Sequence, residues 1–247
     1  MTATEIPYKF LVNAASPQRG SVTASVTEQL RHAIVTLALK PGEILDKGAI
    51  CGRLGVSRFP VSEAFARLQA EGLVEIMPQR GSTVSRVRIA DVVEYMLIRK
   101  ALESEAVRAL IALRPEGVLE KLEANLAEQT RAAKHGDRDT FHQFDIEFHE
   151  ILFSALRFDR IRTIIDAARA NLDRARLLIL DPRRLTMTQS EHKAIVDAIA
   201  AGDADRAAAA MRVHIDKVTG ELLAFAKQSP ELFADSERFT DNTLPFG

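Results

Sequence analysis

Apolar residues recur at three- and four-residue intervals through the first part of the chain, which is the spacing of amphipathic helices. The first periodic run stops at Pro41-Gly42, a pair that ends a helix. Two shorter runs lie on either side of Gly55, which can adopt the left-handed backbone of a helix end. The predicted helices are 26–39, 48–54 and 58–71.

After the third predicted helix, the spacing of apolar residues changes from that of a helix to that of a β-strand. Residues 73–76 and 82–87 are rich in β-branched and alternating side chains, and turn residues ending in Arg80-Gly81 separate them. This pattern predicts a β-hairpin. Three short helices followed by a hairpin are the elements of a winged helix-turn-helix.

Helical periodicity returns after Val87 and continues almost to the end of the chain, with long stretches rich in Ala, Leu, Glu and Arg. Pro115, Gly136, Pro182 and Gly202 mark the expected breaks, and the short connections favour antiparallel neighbours. The predicted helices are 90–113, 115–134, 137–156, 158–180, 187–201 and 203–227. The expected fold is therefore mainly α, with an N-terminal winged helix followed by an antiparallel bundle of about six helices.

Four segments follow from these patterns. We expect a flexible N-terminal arm at 1–20, a winged-helix domain at 21–88, an all-helical domain that binds effector and metal at 89–228, and a C-terminal tail without regular structure at 229–247.

Charge and composition narrow the class of protein. The whole chain has a formal net charge of −1, but residues 20–88 hold nine basic residues against six acidic ones, a net charge of +3. This local excess favours a polyanionic partner for the winged helix. The single Cys51 cannot form a disulfide within the chain. Without a signal peptide or a long apolar run, we expect a cytoplasmic protein that does not enter the membrane.

The winged helix is suited to double-stranded DNA, because its third helix fits the major groove. Ser57 offers an N-cap oxygen, Arg58 can hold a phosphate, and Arg67 can reach a phosphate or a guanine edge. Arg80-Gly81 at the tip of the wing can lie along the minor groove. The alternative is that these arginines are solvated surface groups, which is common on small helical domains.

Four residues of the helical region could bind a metal. Asp145 and His149 are four residues apart and share one helix face, while His192 and His214 lie on two later predicted helices. Should the helices face one core, one carboxylate and three imidazoles would converge, a set suited to zinc, nickel, iron or manganese. His142 with Asp145 is an equally good chelating pair by spacing, and isolated helical histidines often serve only as hydrogen-bonded side chains.

The stretch LALKPGEILDKGAICGRLGVSRFPVSEAFARLQAEGLVEIMPQRGSTVS resembles the winged-helix signature of the GntR family of bacterial regulators, over about residues 24–87. The resemblance implies that Arg58, Arg67, Arg80 and Gly81 contact DNA. Ser57, at the start of the recognition helix, is also predicted to belong to the DNA-binding surface. Members of the family often carry arginine where this chain has Ser62. A basic contact is therefore missing, although the Ser62 hydroxyl can still donate to DNA.

The helical region is similar to the FCD ligand-binding domain of the FadR-type GntR subfamily. There the pattern Asp-x-x-x-His, His, His carries the metal, which implies Asp145, His149, His192 and His214 as ligands and leaves His142 outside the site. The resemblance also implies that Arg99 points inward and binds a small organic or sugar acid. The alternative for Arg99 is a pair with Glu103 on the helix surface.

These expectations describe a homodimeric regulator that binds a pseudo-palindromic operator and responds to an acid effector. A metal-dependent hydrolase is the competing interpretation, since three histidines and an aspartate can activate water. A helical adaptor without an effector is the third.

Overall fold

The computed structural model describes residues 8–12 and 19–239, which fold into two compact units. Unit 1 contains the described residues up to Arg88 and, from the other end of the chain, Ser229–Ser236. Unit 2 is built on Ile89–Gln228. Among the described helices, none has both the length and the apolar character that a membrane crossing requires.

Unit 1 is a winged helix, as the sequence predicts. Its helices are α1 (Arg19–Val35), α2 (Lys47–Leu54) and α3 (Arg58–Ala70), and its strands are β1 (Ile44–Leu45), β2 (Val74–Met77) and β3 (Gly81–Val84). The strands form an antiparallel sheet in the order β1-β3-β2. Fully buried side chains from α1, α2 and α3 form its core, among them Leu30, Ile34, Leu54 and Leu68.

The N-terminal segment 8–12 is held against unit 1, so the expectation of a flexible arm is wrong for these residues. Leu11 is fully buried, and the Val12 N–H donates to Gln29 Oε1 at 2.7 Å. Arg53 donates to the carbonyls of Tyr8 and Lys9 at 3.3 and 3.0 Å. One buried leucine and these hydrogen bonds explain the order, which no periodic pattern could reveal. The last two residues of the predicted arm, 19 and 20, instead begin α1, which starts seven residues and ends four residues before the expected helix 26–39. The remainder of the predicted arm lies outside the described residues.

The chain after Ser229, expected to be an unstructured tail, also differs from the prediction. Pro230–Leu232 and Ser236–Phe239 form short 3-10 helices. Backbone hydrogen bonds join Val87 to this segment, from Val87 N to Leu232 O at 3.1 Å and from Ala234 N to Val87 O at 2.9 Å. Phe233 is buried beside them. Residues Ser229–Ser236 are thus part of the winged-helix unit.

Unit 2 is a bundle whose described helices agree with the prediction in number and order. They are α4 (Ile89–Leu113), α5 (Val118–His135), α6 (Arg138–Leu156), α7 (Asp159–Ile179), α8 (Pro182–Ala200) and α9 (Ala204–Gln228). Helix α8 begins five residues earlier than expected, because Pro182 is its first residue rather than a break. The Asp181 side chain caps it by accepting the Arg184 N–H at 2.7 Å.

Candidate functional site

Three histidines from three helices meet in the interior of unit 2. His149 lies on α6, His192 on α8 and His214 on α9, and all three are buried. Their ring centroids are 4.6–5.4 Å apart. One nitrogen of each ring lies within 4.8 Å of the others, which is close enough for a single metal ion to bind all three.

A chain of amides fixes the proton on His192. Its Nδ1 lies 2.8 Å from Gln129 Oε1 on α5. Gln129 Nε2 donates to Asn125 Oδ1 at 2.7 Å, and Asn125 Nδ2 donates to the Phe144 carbonyl at 3.0 Å, so Oε1 is the acceptor end of Gln129. His192 must therefore carry its proton on Nδ1, and its Nε2 presents a lone pair. Stacking on the Phe148 ring at 4.0 Å fixes the ring plane.

A carboxylate fixes the proton on His214 in the same way. Its Nδ1 lies 2.8 Å from Glu191 Oε2, and that carboxylate is held by Arg184, whose Nη2 donates to Oε2 at 2.7 Å. Because a carboxylate only accepts hydrogen bonds, His214 donates from Nδ1 and its Nε2 also presents a lone pair. A carboxylate behind the imidazole is the arrangement that orients histidine ligands in metal sites.

The two lone pairs face each other across 3.3 Å, the distance between His192 Nε2 and His214 Nε2. That contact is repulsive unless a cation lies between the nitrogens. Burial lowers the pKa of both rings well below its ordinary value, which disfavours a proton in this role. Two nitrogen ligands about 2.1 Å from one metal, at angles of 90–110°, lie about 3.0–3.4 Å apart. The geometry therefore fits a metal.

Asp145 provides the anionic oxygen of this cluster. Its Oδ1 lies 3.7 Å from His192 Nε2 and accepts no hydrogen bond from any described residue, although it is buried. The other oxygen is paired with Arg176 of α7. Burial alone would raise the pKa of Asp145, but the charge of Arg176 outweighs burial and lowers it. Asp145 is thus an ionised carboxylate with one oxygen available.

His149 has both ring nitrogens buried without a hydrogen bond to a described residue. Its Nδ1 lies 2.7 Å from Glu103 Oε2, but at an angle outside hydrogen-bond geometry. Burial, followed by the charge of Arg99, lowers the pKa of His149 and keeps the ring neutral. Its Nδ1 faces the Glu103 carboxylate, and its Nε2, which has no hydrogen-bond partner among the described residues, is suited to binding a cation.

Arg99 and His142 are both buried near the clustered histidines, but neither belongs to the cluster. Arg99 is 3% exposed, and its Nε donates to Glu103 Oε1 at 2.6 Å, so the pair with Glu103 exists but is internal rather than on the surface. Its two Nη groups make no hydrogen bond to a described residue. His142 Nε2 lies 4.0 Å from Asp173 Oδ1, and this ring is not one of the three clustered histidines.

Sequence reasoning missed the residues that surround the candidate ligands. Gln129, Arg176 and Arg184 gave no signal, because each is far in sequence from the side chain that it contacts. Glu103 and Glu191 were visible only as neighbours of Arg99 and His192 in the chain, and their contacts with His149 and His214 depend on how the helices pack.

On unit 1, the arginines predicted to contact DNA are exposed. Arg58 and Arg67 project from α3, and Arg80 lies in the turn before Gly81, whose φ is +95°. Within the described residues none of the three has an ion pair or a side-chain hydrogen bond. Other arginines of the unit are engaged internally, for example Arg31, which pairs with Glu28 and Glu71. The predicted set is therefore available to a partner.

The two predicted serine contacts have different surroundings. Ser57 precedes α3 with an extended backbone, but its hydroxyl makes no capping hydrogen bond, contrary to the expected N-cap role. The Ser62 hydroxyl donates to the Arg58 carbonyl at 2.8 Å and accepts from Lys47 Nζ at 3.1 Å. Ser62 is therefore already connected to a cation of α2.

Together, the winged helix with free arginines and the helical unit with clustered histidines define a DNA-binding regulator. Residues 22–84 match the bacterial regulatory proteins of the gntR family, and residues 94–217 match the FCD domain. The chain belongs to the GntR family and is a DNA-binding transcriptional regulator with an FCD domain.

Known proteins agree with this assignment over most of the chain. An HTH-type transcriptional regulator in an unstable DNA locus of Streptomyces ambofaciens is 37% identical over 83% of this chain and 87% of its own length. The HTH-type transcriptional repressor RspR of Escherichia coli K12 is 30% identical over 87% of this chain and 94% of its own. A crystal structure of a GntR transcriptional regulator from Rhodococcus sp. RHA1 has a TM-score of 0.71 at 25% identity, covering 83% of this chain and 98% of that one. These relatives are regulators, and the hydrolase interpretation is dropped.

Proposed function

We propose that this regulator is a cytoplasmic homodimer that binds a pseudo-palindromic operator and changes its affinity when a small organic or sugar acid binds beside a divalent metal in unit 2. The observation that carries the proposal is the pair of Nε2 lone pairs of His192 and His214, 3.3 Å apart in the interior. Without a cation this contact would be destabilising, and the surrounding hydrogen bonds hold both rings in it.

Asp145, His149, His192 and His214 would hold the metal, one carboxylate oxygen and three imidazole nitrogens. This donor set suits zinc, nickel, iron or manganese. Four protein ligands leave positions open on a metal that accepts five or six, and the metal supplies a Lewis-acid contact for carboxylate oxygens of the effector.

Arg99 would provide the second contact for the acid. Its charge is balanced by Glu103, but the two Nη groups are unused by described residues and form a planar fork. Such a fork matches the two oxygens of a carboxylate. An effector that binds both the metal and this fork would connect α4 to the histidine helices.

Elemental analysis tests the metal. Protein that has been stripped and reloaded with zinc should retain about one ion per chain after dialysis. The double substitution Asp145→Ala/His192→Ala should abolish retention, whereas His142→Ala, which removes a buried histidine outside the cluster, should not. Equal zinc in all three proteins would reject the ligand set.

Operator binding is tested with duplex DNA selected from a random-sequence library by the full-length protein. Arg58→Ala and Arg80→Ala should each weaken binding, by about 1–3 kcal/mol where the arginine reads a base. Arg212→Ala removes the same charge from an exposed position of unit 2 and is the matched control. Wild-type affinity in the Arg58 and Arg80 variants would contradict the proposed interface.

A thermal-shift screen of organic and sugar acids on zinc-loaded protein tests the effector, because a ligand that binds the folded state raises its stability by mass action. A true effector should raise the melting temperature of the wild type and should lose most of this effect in Arg99→Met. An acid that stabilises both proteins equally does not use the proposed fork.

A further inference from the structure

Lys47, the first residue of α2, extends to the recognition helix α3. Its Nζ donates to Ser62 Oγ at 3.1 Å and lies 5.5 Å from the centroid of the Phe65 ring. A hydroxyl and an aromatic face therefore hold the ammonium group in place.

The charge of Lys47 is not neutralised. Among the residues that the structure describes, no carboxylate lies within ion-pair distance of Nζ, and the one hydrogen-bond acceptor is a neutral hydroxyl. An ammonium group has three N–H donors, so two remain available. Lys47 is also the first residue of a helix, where a cation opposes the helix dipole. The stability of α2 does not explain its position.

The surroundings of this cation point to DNA. Ser62 lies one helical turn after Arg58, on a part of α3 where Arg58, Phe59 and Glu63 are exposed. The Ser62 hydroxyl bridges Lys47 and the Arg58 carbonyl, so the ammonium lies beside the first turn of the recognition helix. A longer cationic side chain at position 62 would compete with Lys47 for this space, whereas serine leaves room for it.

We propose that Lys47 contacts a DNA phosphate and supplies, from α2, the positive charge that the recognition helix lacks at Ser62. The inference rests on the operator-binding role of α3 proposed above. A phosphate contact of this kind adds affinity without reading sequence. Its preset position reduces the side-chain entropy that binding would otherwise cost.

The salt dependence of DNA binding tests the proposal, measured by fluorescence anisotropy on the library-selected duplex and on an unrelated duplex. Each neutralised phosphate contributes about 0.9 to the slope of log affinity against log salt. Lys47→Gln should reduce the slope by about this amount, so that affinity falls about 3.5-fold less between 50 and 200 mM salt than in the wild type. The loss of affinity that Lys47→Gln causes at a given salt concentration should be similar for both duplexes.

Two further variants separate charge from structure. Lys47→Arg keeps a cation and should keep the wild-type salt slope. The double variant Lys47→Gln/Ser62→Arg places a cation on α3 instead and should have a slope close to that of the wild type. Equal slopes for Lys47→Gln and Lys47→Arg would overturn the proposal, whatever happens to the melting temperature. If Arg58→Ala weakens binding in that case, only the role of Lys47 fails. If Arg58→Ala also binds like the wild type, the operator-binding role of α3 fails too.

Discussion

The substitution Gln129→Met tests whether the amide behind His192 prepares the site for a metal. Gln129 is fully buried, and its Oε1 is the acceptor for His192 Nδ1 at 2.8 Å. Methionine has a similar volume and helix propensity but cannot accept this proton. His192 can then move its proton to Nε2, which removes the lone pair that a metal would use.

The expected effect follows from the loss of an outer-shell partner, which lowers metal affinity by about 10–100-fold, or about 1.4–2.7 kcal/mol. With zinc in excess, the same amount disappears from the stabilisation that zinc provides. A change of 1 kcal/mol moves the melting temperature of a domain of this size by about 2–4 °C. The zinc-induced rise in melting temperature should therefore shrink by about 3–11 °C.

The difference between zinc-loaded and stripped protein is the quantity to measure, because Gln129→Met also removes a buried hydrogen bond from the metal-free protein. Scanning fluorimetry gives this difference, and competition with a coloured chelator gives the affinity. Gln189→Met is the matched control, since Gln189 also bridges α8 and α5, through a 3.0 Å hydrogen bond to Thr130, and is not among the clustered residues. A zinc-induced rise in Gln129→Met that equals that of the wild type would refute the role of the amide.

Three further outcomes are expected. Burial depresses the pKa of His192 and His214 in the folded protein, so the unfolded chain takes up protons below about pH 6.5 while the folded chain does not. Stability without metal should therefore decline as the pH falls from about 7.5 to 5.5, zinc should dissociate over the same range, and a flat melting temperature would contradict the burial of neutral rings. Glu103→Gln leaves the Arg99 guanidinium buried without its counter-charge and should cost about 3–5 kcal/mol in urea unfolding, a loss that a merely solvated pair would not show. Phe233→Ala should destabilise the protein by about 3 kcal/mol if the C-terminal segment is packed as described, and an unchanged urea midpoint would show that it is not.

The sequence predicts the helices well because their apolar periodicity is a local property. The helices of units 1 and 2 lie within a few residues of the predictions except at two starts. Helix α1 begins at Arg19, seven residues before the expected start, and α8 begins at Pro182, which starts a helix instead of separating two. Strand β1 escaped prediction because two residues cannot display an alternating pattern. Its pairing with β3 depends on the hairpin already being in place.

The candidate site could be predicted only in its histidines and Asp145, whose residue types and spacing resemble a known pattern. The side chains that determine the protonation of these ligands could not be predicted. Arg176 pairs with Asp145 from the next helix, and Gln129 reaches His192 across 63 residues of sequence. Neither partnership has a periodic or compositional signal, since both arise when separately predictable helices pack together. The packing of the segment around Phe233 could not be predicted for the same reason.

The buried charges around the histidines favour an anionic effector once a metal is bound. Each acidic group that contacts the cluster is paired with an arginine, in the pairs Asp145–Arg176, Glu103–Arg99 and Glu191–Arg184. Lys217 also contacts Glu191, and Glu221 also contacts Arg184, which adds one charge of each sign. The histidines are kept neutral by burial, so these groups sum to no net charge. A divalent metal would then add two positive charges that the described groups do not balance. In an interior of low dielectric constant that excess is costly, and an acid anion that binds the metal and the Arg99 fork would offset it. The same accounting explains why an uncharged sugar or alcohol is a poorer candidate than its acid.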